Sequence, residues 1–585
     1  MADQPKKVEV TLEMYQEMTD EAKAALPKSQ RKKLEKRSQQ AKRKAEKAAK
    51  EAARLAAAAE KRAAKEAAAE SAQGEKQVEL DKVRAERLAL PLCNDLKHGY
   101  STRTLIKSLL RAPDSGKSLC GKVFEIGGWV RSLRTNGPMT FIVINDGSCR
   151  ANLQVVCEDP QTEGYAVARK QITGASMLIR GMVTENKGTG NAIELVALTF
   201  NVTGTCDESF PMSKKAHSRE HLLRNAHLRP RTALIACAAR VRNALAFATH
   251  CFFQENGFNY VHTPLITASD CEGAGEMFQV TTLLDAGESD VAELQKSGKI
   301  TAEGKFNYSE DFFSRPAFLT VSGQLSVENY CHALGNVYTF GPTFRAEDSH
   351  TSRHLAEFWM IEPEIAFAGL EENMLCAQHY VQYCLRYLLE NCEEELEYFN
   401  EQDDKVLDRV RLVAKTDFRR LSYTDAVKTL KEHVDAGKVT FENNDIEWGI
   451  DLGSEHERYL VEKAFPDEGP VPTIVYNYPK KIKAFYMKAN DDGKTVQAMD
   501  ILVPGVGELV GGSVREDDLG RLDAAIDINN LDRESYWWYR QLRQYGSVPH
   551  AGFGLGFERL ILFSTGIENI RDVIPFPRYP GHAEF

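Results

Sequence analysis

Phe344-Arg345-Ala346-Glu347, followed closely by Arg353-His354-Leu355-Ala356-Glu357-Phe358, is one of two stretches that decide the fold; the other is the distant run Gly552-Phe553-Gly554-Leu555-Gly556-Phe557-Glu558-Arg559. The first gathers cations, carboxylates and aromatic rings within a few residues. The second puts glycine at every other position and then delivers an arginine. Side chains alternate across an extended strand, so three such glycines strip one face and let a flat ligand or another backbone come close. Arginines beside an open, flat-floored site suit a nucleoside triphosphate. A lone Gly-x-Gly-x-Gly would mean only a bend or bulge; the two stretches together are far more specific.

At 585 residues, with 43% hydrophobic and 27% charged residues, the chain is an ordinary globular protein too long for a single core. No apolar run is long enough to cross a bilayer, so no membrane association is expected. Asp3, Glu9, Glu13, Glu17 and Asp20 argue against a secretory signal or a transit peptide. The twelve cysteines contain no Cys-x-x-Cys pair, which points to reduced thiols, a cytoplasmic location and no cysteine-based zinc site.

Charge is unevenly placed. Residues 28–65 hold fifteen Lys or Arg against four acids, whereas the whole chain carries −10. This arm is rich in Ala, Lys, Arg and Glu, with no Gly or Pro from 28 to 73, so a long basic helix is expected there, ending in a linker over 88–101. It lacks the aromatic and β-branched residues a core requires. It is either a solvated charged helix or a contact for polyanion phosphates.

After the linker come five short β-rich runs, at 123–130, 141–147, 151–156, 176–183 and 193–198, which fit a small Greek-key barrel of the OB type. Phe141, Arg131, Arg134 and Gln154 are candidates for a base-stacking and base-edge face. The plain alternative for Phe141 is packing inside the barrel. A polar, basic hinge follows over 207–232. From Leu234 an Ala-rich helical pattern runs to Gly257, then a strand over 258–266 containing Pro264, which implies an edge or interface position. Beyond it, helices and strands mix without regular alternation and without a Walker loop. The expected fold is α+β: an antiparallel sheet flanked by helices, preceded by an OB barrel and a basic helical extension. The expected boundaries are 1–100, 101–206, 207–232 and 233–585.

These three segments, the helix with Pro264, the Phe344 stretch and the Gly552 ladder, resemble motifs 1, 2 and 3 of the class II aminoacyl-tRNA synthetases. The barrel in front resembles the aspartyl, asparaginyl and lysyl subgroup, and the basic arm resembles the lysine-rich extensions of its eukaryotic cytosolic members. The resemblance covers about 121–585 and implies a two-step reaction, in which ATP and an amino acid give an aminoacyl-adenylate and the acyl group then moves to tRNA. It assigns Arg345 to the α-phosphate, Glu347 to the adenine edge, Phe358 and Arg559 to the two adenine faces, and Arg353 and His354 to the outer phosphates. Asp500 and Glu508 match the family's Mg2+-binding acids, and hard carboxylate oxygens suit that ion. Catalysis is then alignment and charge stabilisation rather than general-base chemistry. Phe141 and Gln154 would meet the anticodon, and the Pro264 region would form a homodimer.

The amino acid is the sharper question. Aspartyl relatives carry a lysine in the strand corresponding to 321–328; here that position is Val327, and Glu328 follows it. Arg515 could serve a carboxamide oxygen and Glu328 could accept from its NH2, whereas aspartate would set a second carboxylate against Glu328. Glu272, Ser322 and Gln324 complete the expected amino-acid site by resemblance. With the stretches 272–278, 359–364 and 574–581, this resembles the asparaginyl family and implies L-asparagine and tRNA(Asn) as partners. The alternatives are an aspartyl-tRNA synthetase with an unusual pocket, an asparagine synthetase on the same catalytic fold (which needs no anticodon-reading barrel), and a non-catalytic binding protein.

Overall fold

The computed structural model describes residues 10–96, 100–137, 139–188, 190–212, 217–269, 276–284 and 291–585. The basic arm is one helix, Lys28–Ala89, 62 residues long. It therefore runs through Gly74 and stops at the start of the expected linker, because a single glycine costs only about 1 kcal/mol in a helix of strong formers. The short helix Leu12–Glu17 folds back on it and buries Tyr15 and Leu34. The far end is rooted on the barrel: Arg84 pairs with Asp159, and Arg180 donates to the carbonyls of Leu88 (3.2 Å) and Leu90 (2.6 Å).

The five β-rich runs form a closed barrel in the order β1-β2-β3-β5-β4. Its strands are Val123–Asn136 (β1), Met139–Asn145 (β2), Leu153–Cys157 (β3), Ser176–Glu185 (β4) and Ile193–Gly204 (β5). Alternation sorts the side chains: Ile142, Ile144, Val155, Ile179 and Leu195 fill the interior. The barrel docks on the helix Glu393–Asn400 and its flank through Arg111–Glu394 (3.0 Å) and Arg150–Glu401 (2.7 Å).

The rest of the chain builds an eight-stranded sheet and a three-stranded one. The small sheet contains Ile266–Thr267 (β7), Gln279–Val280 (β8) and Ala317–Leu319 (β9) in the order β7-β9-β8. The large sheet takes Asn259–Tyr260 (β6), Val337–Phe344 (β10), Glu357–Ala366 (β11), Arg419–Ser422 (β12), Thr473–Pro479 (β13), Thr495–Val503 (β14), Gly507–Val514 (β15) and His550–Gly556 (β16). Its order is β12-β13-β14-β15-β16-β11-β10-β6, antiparallel except where the two outermost strands join in parallel. The expected strand over 258–266 is thus only two short pieces either side of Pro264.

One face of this sheet is covered by the helices Ala233–Glu255 and Leu370–Asn391, where Phe553, Leu555, Ile361 and Val510 enter the main core. Alternation leaves Gly552, Gly554 and Gly556 on the opposite face, together with Phe358, Met360, Glu362 and Glu364 of β11. The candidate site lies there. The hinge is clasped to the C-terminal tail by Arg229, which is fully buried. Its Nη2 donates to the carbonyls of Arg571, Ile574 and Pro575 at 2.9, 2.6 and 3.2 Å, and its Nη1 lies 3.3 Å from Asp572.

Candidate active site and anticodon face

Seven residues singled out in the sequence converge on one cavity of about 210 Å³: Arg345, Glu347, Arg353, His354, Phe358, Glu508 and Arg559. Gly554 and Gly556 line it as well, so two rungs of the glycine ladder face the cavity. Gly552 serves the neighbouring backbone instead: a Cβ there would lie 2.3 Å from the Pro363 carbonyl and 2.4 Å from the Glu364 carboxyl.

The strand that carries the glycines ends at Gly556, and Arg559 sits in the first turn of the helix Phe557–Thr565. That turn is fixed by Glu558, which accepts from Arg242 (2.6 Å) and from the Trp359 N–H (2.9 Å). Arg559 Nη1 donates to the Glu508 carboxylate at 3.1 Å. The Arg345 guanidinium lies 5.3 Å from the Phe358 ring centroid. His354 Nδ1 meets the hydroxyls of Ser349 (2.9 Å) and Thr351 (2.5 Å). Burial, reinforced by the charges of Arg458 and Arg559, pushes Arg353 below its ordinary value. Arginines converging on one cavity form a natural seat for phosphate oxygens. Arg458 is an addition the sequence did not signal.

Beside the arginines lies an acidic group. Asp500 on β14 and Glu508 on β15 both lean over Gly511, where a Cβ would lie 3.2 Å from Asp500 Oδ1 and 3.2 Å from Glu508 Oε1. A bulge between Ile501 and Leu502 sets the register that brings them together. Lys483 Nζ pairs with Asp500 at 2.7 Å. Glu457, from the helix Ser454–Glu462, joins them by accepting from the Glu508 N–H at 3.0 Å. Burial, then the charge of Glu508, pushes the Glu457 carboxyl up to about 8. The carboxylates of Asp500 and Glu508, on neighbouring strands over a glycine that leaves room, are the donor type a hard divalent cation takes.

The amino-acid end differs from the expected geometry. The stretch from Gln324 is the helix Gln324–Leu334, not a strand, and Gln324 and Glu328 meet across one turn. Glu328 is fully buried, and its two oxygens accept from Gln324 Nε2 (2.8 Å), the Tyr539 hydroxyl (2.9 Å), Arg543 Nη2 (2.9 Å) and His550 Nε2 (2.9 Å). Arg515 is likewise buried. It pairs with Glu364 through Nε (3.1 and 3.2 Å) and Nη2 (2.5 Å), and its Nη1 donates to Ser513 at 2.8 Å. Ser322 donates to Glu362, whose other oxygen accepts from the Gly323 N–H at 2.9 Å. The structure therefore brings Ser322, Gln324, Glu328 and Arg515 into one buried polar cluster, while Glu272 lies outside the described residues. Glu362, Glu364, Tyr539, Arg543 and His550 were missed. The two glutamates were findable, since they continue the alternation of Phe358 and Met360 along β11.

On the barrel, Phe141 is half-exposed, outside the buried interior, with the Arg134 guanidinium 5.1 Å from its ring centroid. Gln154 donates to Glu194 at 2.7 Å. Arg131 does not join this face. It sits at the irregularity between Val130 and Ser132, donates to the Arg231 carbonyl, and lines the cavity between barrel and hinge.

Comparison with known proteins matches this architecture. Residues 218–580 fit the family model for tRNA synthetases class II (D, K and N), and residues 124–203 fit that of the OB-fold nucleic acid binding domain. The chain belongs to the class II tRNA synthetases, which use ATP. It is 54% identical over 475 residues to the chloroplastic/mitochondrial asparagine–tRNA ligase of Arabidopsis thaliana, spanning 81% of this chain and 82% of that protein. It is 52% identical over 486 residues to the asparagine–tRNA ligase of Protochlamydia amoebophila, spanning 83% and 100%. The crystal structure of Pyrococcus horikoshii asparaginyl-tRNA synthetase complexed with asparaginyl-adenylate superposes with a TM-score of 0.69 at 30% identity, covering 82% of this chain and 99% of that one. Within the class, its family is that of the asparagine–tRNA ligases.

Proposed function

We propose that this asparagine–tRNA ligase forms its adenylate across the two clusters just described, with ATP against Phe358 and the arginines and asparagine at the Glu328–Arg515 end. The convergence of Arg345, Glu347, Arg353, His354, Phe358, Glu508 and Arg559 on one cavity carries the reading. Phe358 and Arg559 hold the adenine faces, Glu347 its edge, and Arg353 and His354 the outer phosphates. Arg345 meets the charge that grows on the α-phosphate as the asparagine carboxylate attacks. Fixed cations aimed at developing charge lower the barrier without reorganising during reaction. The Gln324 amide oxygen, with Glu272, serves the substrate ammonium, and Ser322 lines the same end.

Asp500 and Glu508 would hold Mg2+, which neutralises phosphate charge when bound. Exchange activity is expected to vanish with a chelator. Asp500→Asn is expected to raise the Mg2+ concentration for half-maximal asparagine-dependent ATP–pyrophosphate exchange by about tenfold, the usual scale for losing one favourable charge contact. An unchanged Mg2+ requirement would remove Asp500 from the metal site.

Selection of asparagine rests on Glu328, whose buried negative charge opposes the carboxylate of aspartate. Exchange measured with asparagine and aspartate side by side tests it: equal use of both would overturn the assignment.

The barrel face with Phe141 and Gln154 is the anticodon contact in this reading. Phe141→Ala is expected to lower kcat/KM for tRNA(Asn) by about 10- to 100-fold, the worth of one stacked base, while leaving pyrophosphate exchange intact. Equal loss in both assays would make Phe141 a folding residue. The basic helix Lys28–Ala89 tracks tRNA phosphates without reading sequence. Exposed Phe247, Tyr260, Leu265 and Ile266 around Pro264 support a homodimer through that edge. Twelve cysteines without a Cys-x-x-Cys pair support a cytoplasmic location.

A further inference from the structure

Selectivity, in the reading above, needs a Glu328 that stays ionised and stays in place. Both are difficult for a carboxylate with no solvent exposure, because burial favours the protonated form and leaves an unpaired charge uncompensated. The structure contains two buried arginine–glutamate pairs at this end. Arg515 is committed to Glu364, and Arg543 to Glu328.

We propose that Arg543, together with Tyr539, is a positioning residue for amino-acid selection, holding Glu328 as an oriented anion rather than touching the substrate itself. The inference rests on the assignment of Glu328 to selectivity and extends it to a helix that no site residue predicted from sequence occupies.

Four observations support it. Tyr539 and Arg543 are four residues apart on the helix Trp537–Gln544, so they share a face. Arg543 lies 4.1 Å from the Tyr539 ring centroid, and its Nη2 reaches both the Tyr539 hydroxyl and Glu328 Oε2 at 2.9 Å. The Tyr539 hydroxyl in turn donates to Glu328 Oε1, so the clamp grips both carboxylate oxygens. The rest of the guanidinium has no competing acid: Nε donates to the Glu516 carbonyl at 2.8 Å, Nη1 is buried without a hydrogen bond, and among the described residues no other carboxylate pairs with Arg543.

The groups facing Glu328 are Arg543 and Tyr539 from this helix, His550 from β16, Arg515 from β15, Glu364 from β11, and Cys331 and His332 from its own helix. Burial works to raise the Glu328 carboxyl, and the Arg543 charge, followed by the His550 bond, holds it well below the usual carboxylate range. Without Arg543, burial prevails and the pKa rises. Below that raised pKa, Glu328 becomes an O–H donor that can satisfy an aspartate carboxylate. Discrimination should then fall as pH falls, in the variant and not in the parent protein.

The test is asparagine- and aspartate-dependent ATP–pyrophosphate exchange across the neutral pH range for Arg543→Gln, Arg543→Lys, Tyr539→Phe and Glu328→Gln, with circular dichroism and the KM for ATP alongside. Arg543→Gln is expected to lower the asparagine-over-aspartate ratio of kcat/KM by about 10- to 100-fold, more at lower pH, with the KM for ATP little changed. Arg543→Lys restores part of the ratio. Tyr539→Phe keeps the ring, loses one donor, and lowers the ratio a few-fold with the same pH trend. If Glu328→Gln loses selectivity while Arg543→Gln and Tyr539→Phe keep it at every pH, the positioning role is wrong. If Glu328→Gln keeps selectivity, the assignment of Glu328 itself is wrong and the inference falls with it. Should Arg543→Gln fail to fold, a flat pH profile in Tyr539→Phe overturns the proposal.

Discussion

Arg345→Gln is expected to lower kcat for asparagine-dependent ATP–pyrophosphate exchange about a thousandfold, or ~4 kcal/mol of transition-state stabilisation. Arg345 follows directly on β10, and its N–H continues the ladder to the Ala356 carbonyl at 3.0 Å, so its Cα is held by the sheet. Its guanidinium lies near the Phe358 ring, at the wall of the cavity that also holds Glu508 and Arg559. A charge fixed there acts most strongly on the state in which the α-phosphate gains negative charge. The amino-acid cluster is built from other residues, so the KM for asparagine should move by only a few-fold. A steady-state split of kcat from KM checks this. A loss confined to KM, or a kcat within tenfold of the parent, would exclude Arg345 from the transition state.

Arg229→Met is expected to destabilise the protein by about 3–5 kcal/mol, the scale for orphaning a buried partner charge. The substitution strips three carbonyls of their donor and leaves Asp572 buried without this cation. Burial already holds the Asp572 carboxyl above its ordinary value, with Arg229 the leading opposing charge. The first unfolding transition in a thermal or urea melt should move down clearly. The double variant Arg229→Met/Asp572→Leu should recover part of the loss, since it removes both charges rather than one. Full additivity of the two single changes would show that the residues are energetically independent.

Legibility in the sequence followed the distance between cooperating residues. The barrel was readable because each strand carries its own alternation of buried and exposed side chains. The proposed nucleotide half was readable because most of its residues fall within 344–358 and 552–559, and one strand or one turn brings each group together. The amino-acid half was not. Three of the four partners of Glu328 come from positions 539, 543 and 550, more than 200 residues away, so only tertiary packing could reveal them. The stretch 321–328 misled as a strand because that reading came from its resemblance to the aspartyl relatives; from Gln324 on it is a helix. What decides it is the Gln324–Glu328 contact across one helical turn, and the packing of Leu325, Val327 and Cys331 into the interior. Arg131 misled because a register shift re-aims one side chain, and no local pattern announces the shift.

The rooted helix Lys28–Ala89 has a hydrodynamic and kinetic consequence. Its 62 residues make a rod about 90 Å long at the standard helical rise. At physiological ionic strength, charge is felt over only about 8 Å. A compact basic patch would therefore attract a polyanion only at near contact, whereas the rod carries the same short-ranged field far from its attachment on the barrel. Under the proposed contact with tRNA phosphates, its length, more than its net charge, would set the volume in which a nucleic acid is first met. Shortening the rod should cost encounter rate while leaving the chemistry of the bound complex alone.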